Sequence, residues 1–340
     1  MSVRLLIHTR FHPSVGGIET VAALLVPEWI RAGESVTVVT DVKRDPSREK
    51  RFDFPLHHRP SRREWVRLLR SHDLLVHFNI SLRAIWPLLV VPRRFVAVHH
   101  GYYTIDRDGR RDWKEKLKLR VARRAAKNIA VSEAVGRRIA IPCAVIPNPY
   151  DASVYHRDSK WDRAGDLIFV GRLVSDKGAD TLLRALAILV ERKMRLRLTI
   201  VGDGPERAPL EKLTAELKLE AQVAFVGSKV ASEIADLLRR HQALVVPSLW
   251  EEPFGVVALE GIACGCAVIG SSGGGLPEAI GPCGVTFPNG DATALAGRIG
   301  ELYGNPKRIE ELLSHADDHL AQHLPSRVAA RYLEVMRSAV

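Results

Sequence analysis

Short runs of apolar residues recur along the first half of the chain, separated by longer stretches in which apolar positions return every third or fourth residue. The short runs predict strands over 3–8, 36–40, 74–77, 95–99, 128–131 and 144–146. The periodic stretches predict helices over 18–32 and 113–127, with a short one over 134–139. Pro27 is expected to kink the first of these. Strands spaced by helices make a mainly parallel sheet covered on both faces.

Pro142, Pro147 and Pro149, followed by a polar stretch over 151–165, break this rhythm. It then restarts with strands over 167–170, 196–201, 223–225, 243–246 and 267–269. Helices are predicted between them, over 177–191, 208–217, 232–239 and 256–264. The reading is two α/β domains of similar size, 1–157 and 158–325, with a C-terminal helix over 326–340 expected to return to the first domain. Strand ends run into loops bearing glycine, proline or serine, where open α/β sheets place their ligands.

Composition changes this picture little. A 46% hydrophobic, 26% charged chain of 340 residues is that of a globular protein with room for two cores. The longest apolar run, 84–92, is about half of what a membrane span needs and contains Pro87. The N-terminus reads as a first strand rather than a signal peptide. Cys143, Cys264, Cys266 and Cys283 have neither a disulfide nor a metal spacing, and read as buried thiols of a reducing cytoplasm.

Charge changes it more. Residues 1–157 hold 29 Lys/Arg against 15 Asp/Glu, whereas residues 158–340 hold 21 against 24. The whole excess lies in the first half, which is therefore expected to face an anionic partner. Two stretches there interleave cations with apolar residues, 61–70 and 113–127. In the second, Trp113, Leu117 and Val121 form a stripe at spacing four, packed inward or facing a membrane. Neither a groove-reading helix nor a stacking platform is present, so nucleic acid is not the expected partner.

Three segments of the second domain carry candidate chemistry: Phe169-Val-Gly-Arg-Leu-Val-Ser-Asp-Lys-Gly178, Val201-Gly-Asp-Gly-Pro205 and Pro247-Ser-Leu-Trp-Glu-Glu-Pro-Phe-Gly-Val-Val-Ala-Leu-Glu260. Together with Gly16-Gly-Ile-Glu19, Val131-Ser-Glu133, Val145-Ile-Pro-Asn148 and Gly274-Gly-Leu-Pro-Glu278, they closely resemble the group 1 (family 4) retaining glycosyltransferases. The acidic motif of that family, two glutamates with seven residues between them, is matched by Glu252 and Glu260. The resemblance covers most of the chain. It implies the GT-B fold, two facing Rossmann-like domains with the active site in the cleft between them. It also implies a nucleotide diphosphate sugar as co-substrate, with no metal and no other cofactor.

The residues support that chemistry in their own right. A helix starting after Gly255 offers free N–H groups and the positive end of its dipole to a diphosphate. Phe254, Gly255 and Val256 line that seat, with no glycine side chain to hold phosphates away. Glu260, just over one turn further in, can accept ribose hydroxyls, while Glu252 reaches the transferred sugar. Arg172 and Lys177, at a strand end, would stabilise the charge that grows on the leaving diphosphate, and so replace a metal. Asp106-Arg-Asp108 is read as incidental. Gly202 and Gly204 form a turn without the dinucleotide fingerprint, since position 207 is Arg.

In the first domain, Gly16 and Gly17 open a helix; in the resembling family this loop closes over the donor phosphate and sugar. His99 and His100 end a strand and point to opposite sides, so one of them faces the sugar. His100, standing before Gly101, matches the family better. Asn79 shapes a neighbouring loop, and Glu278 is either structural or part of the donor site.

The resulting expectation is transfer of a hexose or N-acetylhexosamine with retention, by a front-face route. UDP-sugars are favoured as donors and GDP-mannose comes next. The acceptor is a glycan, a lipid-linked sugar or a small molecule, as in polysaccharide biosynthesis, and the basic half would rest on an anionic membrane from the cytoplasmic side. The rival reading is a nucleotide-sugar epimerase or a phosphorylase of the same architecture.

Overall fold

The computed structural model describes residues 2–12, 16–48, 51–103, 113–158 and 160–340. They form two compact units, residues 1–149 with 323–340 and residues 150–322.

The first unit is built on a seven-stranded parallel sheet. Its strands are β1 (Arg4–His8), β2 (Ser35–Thr40), β3 (Leu56–His58), β4 (Leu74–Phe78), β5 (Phe95–His99), β6 (Lys127–Ala130) and β7 (Ala144–Val145). Their order is β3-β2-β1-β4-β5-β6-β7, so the sheet reverses direction of growth between β1 and β4. The second unit holds a six-stranded parallel sheet of β8 (Gly165–Val170), β9 (Leu198–Val201), β10 (Val223–Gly227), β11 (His241–Val246), β12 (Ala267–Ser271) and β13 (Gly284–Phe287). Its order, β10-β9-β8-β11-β12-β13, reverses between β8 and β11. Ligands of open α/β sheets gather at the carboxyl ends of the strands beside such a reversal.

The central strands are buried along their length, because helices cover both faces. In the first unit the helix Gly17–Arg31 presses Val21, Leu25 and Trp29 onto β1 and β2. The helix Pro325–Arg337 lies against it with Val328, Tyr332 and Met336 in the same core. Trp29 donates its indole N–H to the Ala329 carbonyl (3.2 Å), and Arg337 forks onto the buried carboxylate of Glu34 (2.6 and 3.0 Å). The final helix is therefore part of the first unit's core.

Several element boundaries differ from the sequence reading. The stretch 113–127 is a helix only over Trp113–Ala122, and Lys127 already begins β6. Trp113 (66%) and Leu117 (38%) stand exposed while Leu119 and Ala122 turn inward, so the Trp113–Leu117 stripe faces outward. Lys177 ends a 3₁₀ turn, Ser175–Lys177, and the helix starts at Ala179. Gly178 separates them at φ 66°, a conformation that no helix continues through. The first helix runs through Pro27 without interruption. Strands β3 and β13 lie outside the predicted set.

Candidate active site

The reversal point of the second sheet joins the loops that follow β8 and β11. After β8 the chain passes through Gly171 and Arg172 to Lys177; after β11 it runs from Pro247 to Phe254. Two backbone N–H groups of the second loop, Leu249 and Trp250, donate to the Asp176 carbonyl of the first (2.9 and 3.3 Å). Gly178 is required at this crossing, since a Cβ there would strike the Pro247 carbonyl. Lys177 Nζ consequently lies 2.5 Å from Glu252 Oε1, which also accepts from Ser248 Oγ (2.7 Å). Arg172 is exposed on the same loop and, among the described residues, forms no ion pair.

The β11 loop is held from a third side. Glu252 pairs with Gly274 as an isolated parallel bridge, and its carbonyl accepts from the Gly275 N–H (2.7 Å). Asn289 braces the ensemble, donating to the Ser248 carbonyl and accepting from the Gly273 N–H (3.1 and 2.8 Å). Sequence reasoning gives Ser248, though it lies in the Pro247–Glu260 segment, and Asn289 no role. No spacing marks them, since Asn289 stands 41 residues beyond its partner Ser248. Glu278 is half-buried in the helix Leu276–Ile280 that begins at this bridge.

The helix Val256–Ala263 opens directly after this loop, with Gly255 as its N-cap at φ 96°. A side chain at Gly255 would meet Leu276 Cδ1 at 2.6 Å as well as being strained. No side chain caps this end; the Ala258 N–H turns back to the Gly255 carbonyl (3.0 Å), and among the described residues the Val256 and Val257 N–H groups beyond buried Phe254 keep their donor capacity. Glu260 sits on the inner stretch of that helix, and burial pushes its carboxyl up to about 7, with the negative charge of Asp151 adding to the effect. Glu260 in turn holds the Tyr155 hydroxyl well above the ordinary phenol range, behind the larger effect of that ring's own burial.

Gly202 and Gly204 have a packing reason of their own. A Cβ at Gly202 would strike the Gly171 carbonyl, and one at Gly204 the Leu173 carbonyl. These glycines clamp the loop after β9 onto the loop carrying Arg172, with Leu173 N–H donating to the Asp203 carbonyl (3.0 Å).

In the first unit, the two histidines at the end of β5 have different fates. His99 spends both ring nitrogens inside the protein, on Tyr103 Oη (2.7 Å) and Asn128 Oδ1 (3.0 Å). His100 is also buried, beside the Asn148 side chain, and its Nε2 makes no hydrogen bond of good geometry among the described residues. Burial drives its imidazole down to about 3, with His99 adding a smaller push, so it is neutral at any physiological pH. Its backbone N–H donates to Asn79 Oδ1 (2.8 Å), and Asn79 itself takes a positive φ of 53° to do so. Gly16 caps the helix Gly17–Arg31, and a Cβ on Gly16 would crowd the Glu19 carboxylate (2.7 Å). Among the described residues, nothing stands within 4 Å of a Cβ at Gly17.

Among the described residues, no group of three or more His, Cys, Asp or Glu side chains is arranged to hold a metal ion. Asp106-Arg-Asp108 lies outside the described residues.

Comparison with known proteins bears on both units. The family "Glycosyltransferase Family 4" matches residues 15–154, and "Glycosyl transferases group 1" matches residues 154–317. The chain belongs to the group 1, family 4 glycosyltransferases. The D-inositol 3-phosphate glycosyltransferase of Thermobispora bispora is 36% identical to this glycosyltransferase over 185 residues, 51% of the chain and 43% of the relative. A glycogen synthase of Mycobacterium tuberculosis is 33% identical over 222 residues, 63% of the chain and 53% of the relative. The chain thus spans about half the length of these curated relatives. Among solved structures, Anabaena HepE in complex with UDP superposes with a TM-score of 0.80 at 18% identity, covering 98% of this chain and 100% of that one. Sucrose-phosphate synthase from Thermosynechococcus elongatus gives 0.79 at 21% identity, covering 98% of both chains. At these identities the likeness establishes the fold of the glycosyltransferase, the pair of Rossmann-like units known as GT-B.

Proposed function

We propose that this glycosyltransferase transfers a hexose or N-acetylhexosamine from a UDP-sugar to an acceptor, with retention and without a metal. The observation that carries the reading is the Lys177–Glu252 contact of 2.5 Å at the β8/β11 reversal, three residues before the glycine-capped helix start. It sets a cation, a carboxylate and an N–H-bearing helix end along one short stretch of sheet edge. The diphosphate would lie on the first-turn N–H groups after Gly255, with Arg172 and Lys177 taking up the charge that develops as the glycosidic bond breaks. Glu260 would accept the ribose hydroxyls and Glu252 a hydroxyl of the transferred sugar.

His100 is assigned to hydrogen bonding of the sugar. A group driven to about 3 is a poor proton acceptor at neutral pH, whereas its Nε2 remains available as a hydrogen-bonding atom. The departing phosphate would then accept the acceptor's proton on the same face of the sugar. Gly17, whose missing side chain no neighbour among the described residues explains, is assigned to close approach of the donor phosphate. UDP is favoured because relatives of the same fold bear UDP and UDP-glucose.

A thermal-shift series with UDP-, GDP- and ADP-sugars tests the donor. At a ligand concentration 100 times Kd, binding adds about 2.7 kcal/mol of stability. The UDP series is expected to raise Tm most, and release of UDP during turnover is expected to persist in EDTA. No shift with any nucleotide sugar, or full loss of turnover in EDTA restored by Mn²⁺, would overturn the reading.

The basic first unit is assigned to an anionic membrane surface. Leu89 (83% exposed) and Leu117 (38%) line one apolar groove together with Arg93 and Arg124, and Val90 and Trp113 are exposed on the segments that carry them. No helix among the described residues is long and apolar enough to cross a membrane, so contact would be peripheral. Co-sedimentation is expected with phosphatidylglycerol vesicles and not with phosphatidylcholine alone; equal, low binding to both would sink the assignment.

A further inference from the structure

β11 runs toward the edge of the second sheet that carries Glu252, and the helix Val256–Ala263 runs back from it before β12 begins. The start of β11, His241, and the end of the helix, Cys264, therefore meet at the opposite edge. The helix closes there with a turn in which the Gly265 N–H donates to the Ile262 carbonyl and the Cys266 N–H to the Gly261 carbonyl (both 2.8 Å). Gly265 takes a φ of 86° to make this turn. The carbonyls of Cys264 and Gly265 themselves still need donors.

One side chain supplies them. Arg163, just before β8, donates from Nη2 to the Cys264 carbonyl (2.5 Å) and from Nη1 to the carbonyls of Gly265 (2.7 Å) and His241 (2.9 Å). Two of these bonds finish the helix, and the third grips the first residue of β11. A Cβ on Gly265 would strike this guanidinium, so glycine is needed there for space as well as for conformation. Among the described residues Arg163 forms no ion pair. Its charge serves the helix end, where the carbonyl dipoles collect negative charge. Gln242 holds the arginine's backbone in turn, donating to the Arg163 carbonyl (3.3 Å).

A helix of 8 residues is too short to hold itself in place, and a displacement at one end is carried to the other. The far end of this one bears the free N–H groups of Val256 and Val257, and Glu260 lies within it. The far end of β11 leads to Glu252. A guanidinium bonded to both elements fixes how helix and strand lie along each other. We infer that Arg163 is a positioning residue for glycosyl transfer, holding Glu260 in register with Glu252 from the opposite edge of the sheet. Its bearing on the reaction rests on the assignment of Glu260 to the ribose and Glu252 to the transferred sugar. UDP alone draws mainly on the helix, through its first-turn N–H groups and Glu260, whereas transfer needs both carboxylates in place. A displacement of about 1 Å at a reacting centre can cost about 10²-fold in rate.

The test compares wild type with Arg163→Ala, which removes all three hydrogen bonds, and Arg163→Lys, which keeps the charge without the fork. Arg163 is half-buried and borders an open pocket of about 570 Å³, so solvent can fill the space that a shorter side chain leaves. Calorimetry gives the affinity of each protein for UDP. Release of UDP at saturating UDP-glucose or UDP-N-acetylglucosamine, whichever binds wild type more tightly, gives turnover. Turnover should fall by about 10- to 100-fold in Arg163→Ala and by less in Arg163→Lys, with the UDP affinity of both close to that of wild type. Wild-type turnover in either variant overturns the inference. So does a loss of UDP affinity as large as the loss of turnover, which marks a general loosening of the unit. Should Arg163→Ala not fold, the same two readings on Arg163→Lys decide. A wild type that binds neither UDP nor a UDP-sugar would overturn the donor assignments and this inference with them. A wild type that binds both, with variants that match it, would overturn this inference alone.

Discussion

Replacing Lys177 by alanine is expected to lower kcat by about 10²- to 10³-fold while changing KM for the donor far less, as measured by release of nucleoside diphosphate from the donor found by thermal shift. The proposed role explains that division. The bound donor already carries its diphosphate charge, but the charge on the departing oxygen grows only as the bond to the sugar breaks. A cation at that end therefore contributes most in the transition state. The substitution has a second effect, since Glu252 would keep Ser248 and lose the ammonium 2.5 Å away. Arg172→Ala should show the same pattern without disturbing Glu252, because Arg172 makes no ion pair with it. A Lys177→Ala protein with unchanged kcat would remove Lys177 from the mechanism.

Glu260→Gln is expected to make the empty protein more stable at pH 8 and a weaker binder of the donor. Burial raises the folded-state carboxyl to about 7 from an ordinary value of 4.5. The folded protein thus holds this proton more tightly than the unfolded chain does. Its contribution to stability is complete below about pH 4.5, declines as pH rises, and is gone once pH passes about 7. The amount lost is about 3 kcal/mol. Glutamine has no proton to lose. The stability difference between variant and wild type should therefore grow between these limits and level off above them. Taking the difference cancels the opposite trend from His77, His99 and His100, whose burial disfavours their charged forms. Donor affinity should fall by roughly tenfold or more, because an ionised carboxylate accepts hydroxyl protons more strongly than an amide oxygen. A flat difference curve would refute the burial argument, and unchanged affinity the ribose assignment.

The alternation of strands and helices was legible because buried parallel strands are nearly uninterrupted apolar runs, and β1, β4, β5 and β12 all have that form. Strand β3 is Leu-His-His and half-buried, so it carries no such run; it exists because β2 offers it backbone partners. The break before Ala179 depends on one glycine at positive φ, and that glycine is dictated by the carbonyl of Pro247, about seventy residues away. The same holds for the site. Helical periodicity is enough to place Glu260 one turn into its helix, but its raised proton affinity comes from surroundings that include Asp151, outside any local window. Strand alternation puts His99 and His100 on opposite sides. Only the arrival of Asn128 from the next strand, together with Tyr103, shows which ring is already fully engaged.

The helix Pro325–Arg337 also has a temporal meaning. During synthesis residues 1–149 emerge before the second unit, yet Trp29 and Glu34 must wait for Ala329 and Arg337, which follow that unit in sequence. The second unit, residues 150–322, is continuous in sequence and can close while its predecessor is still missing a helix. The first unit is therefore started before the second and completed after it, and a gene cut at residue 149 would encode a sheet with one side of its core uncovered.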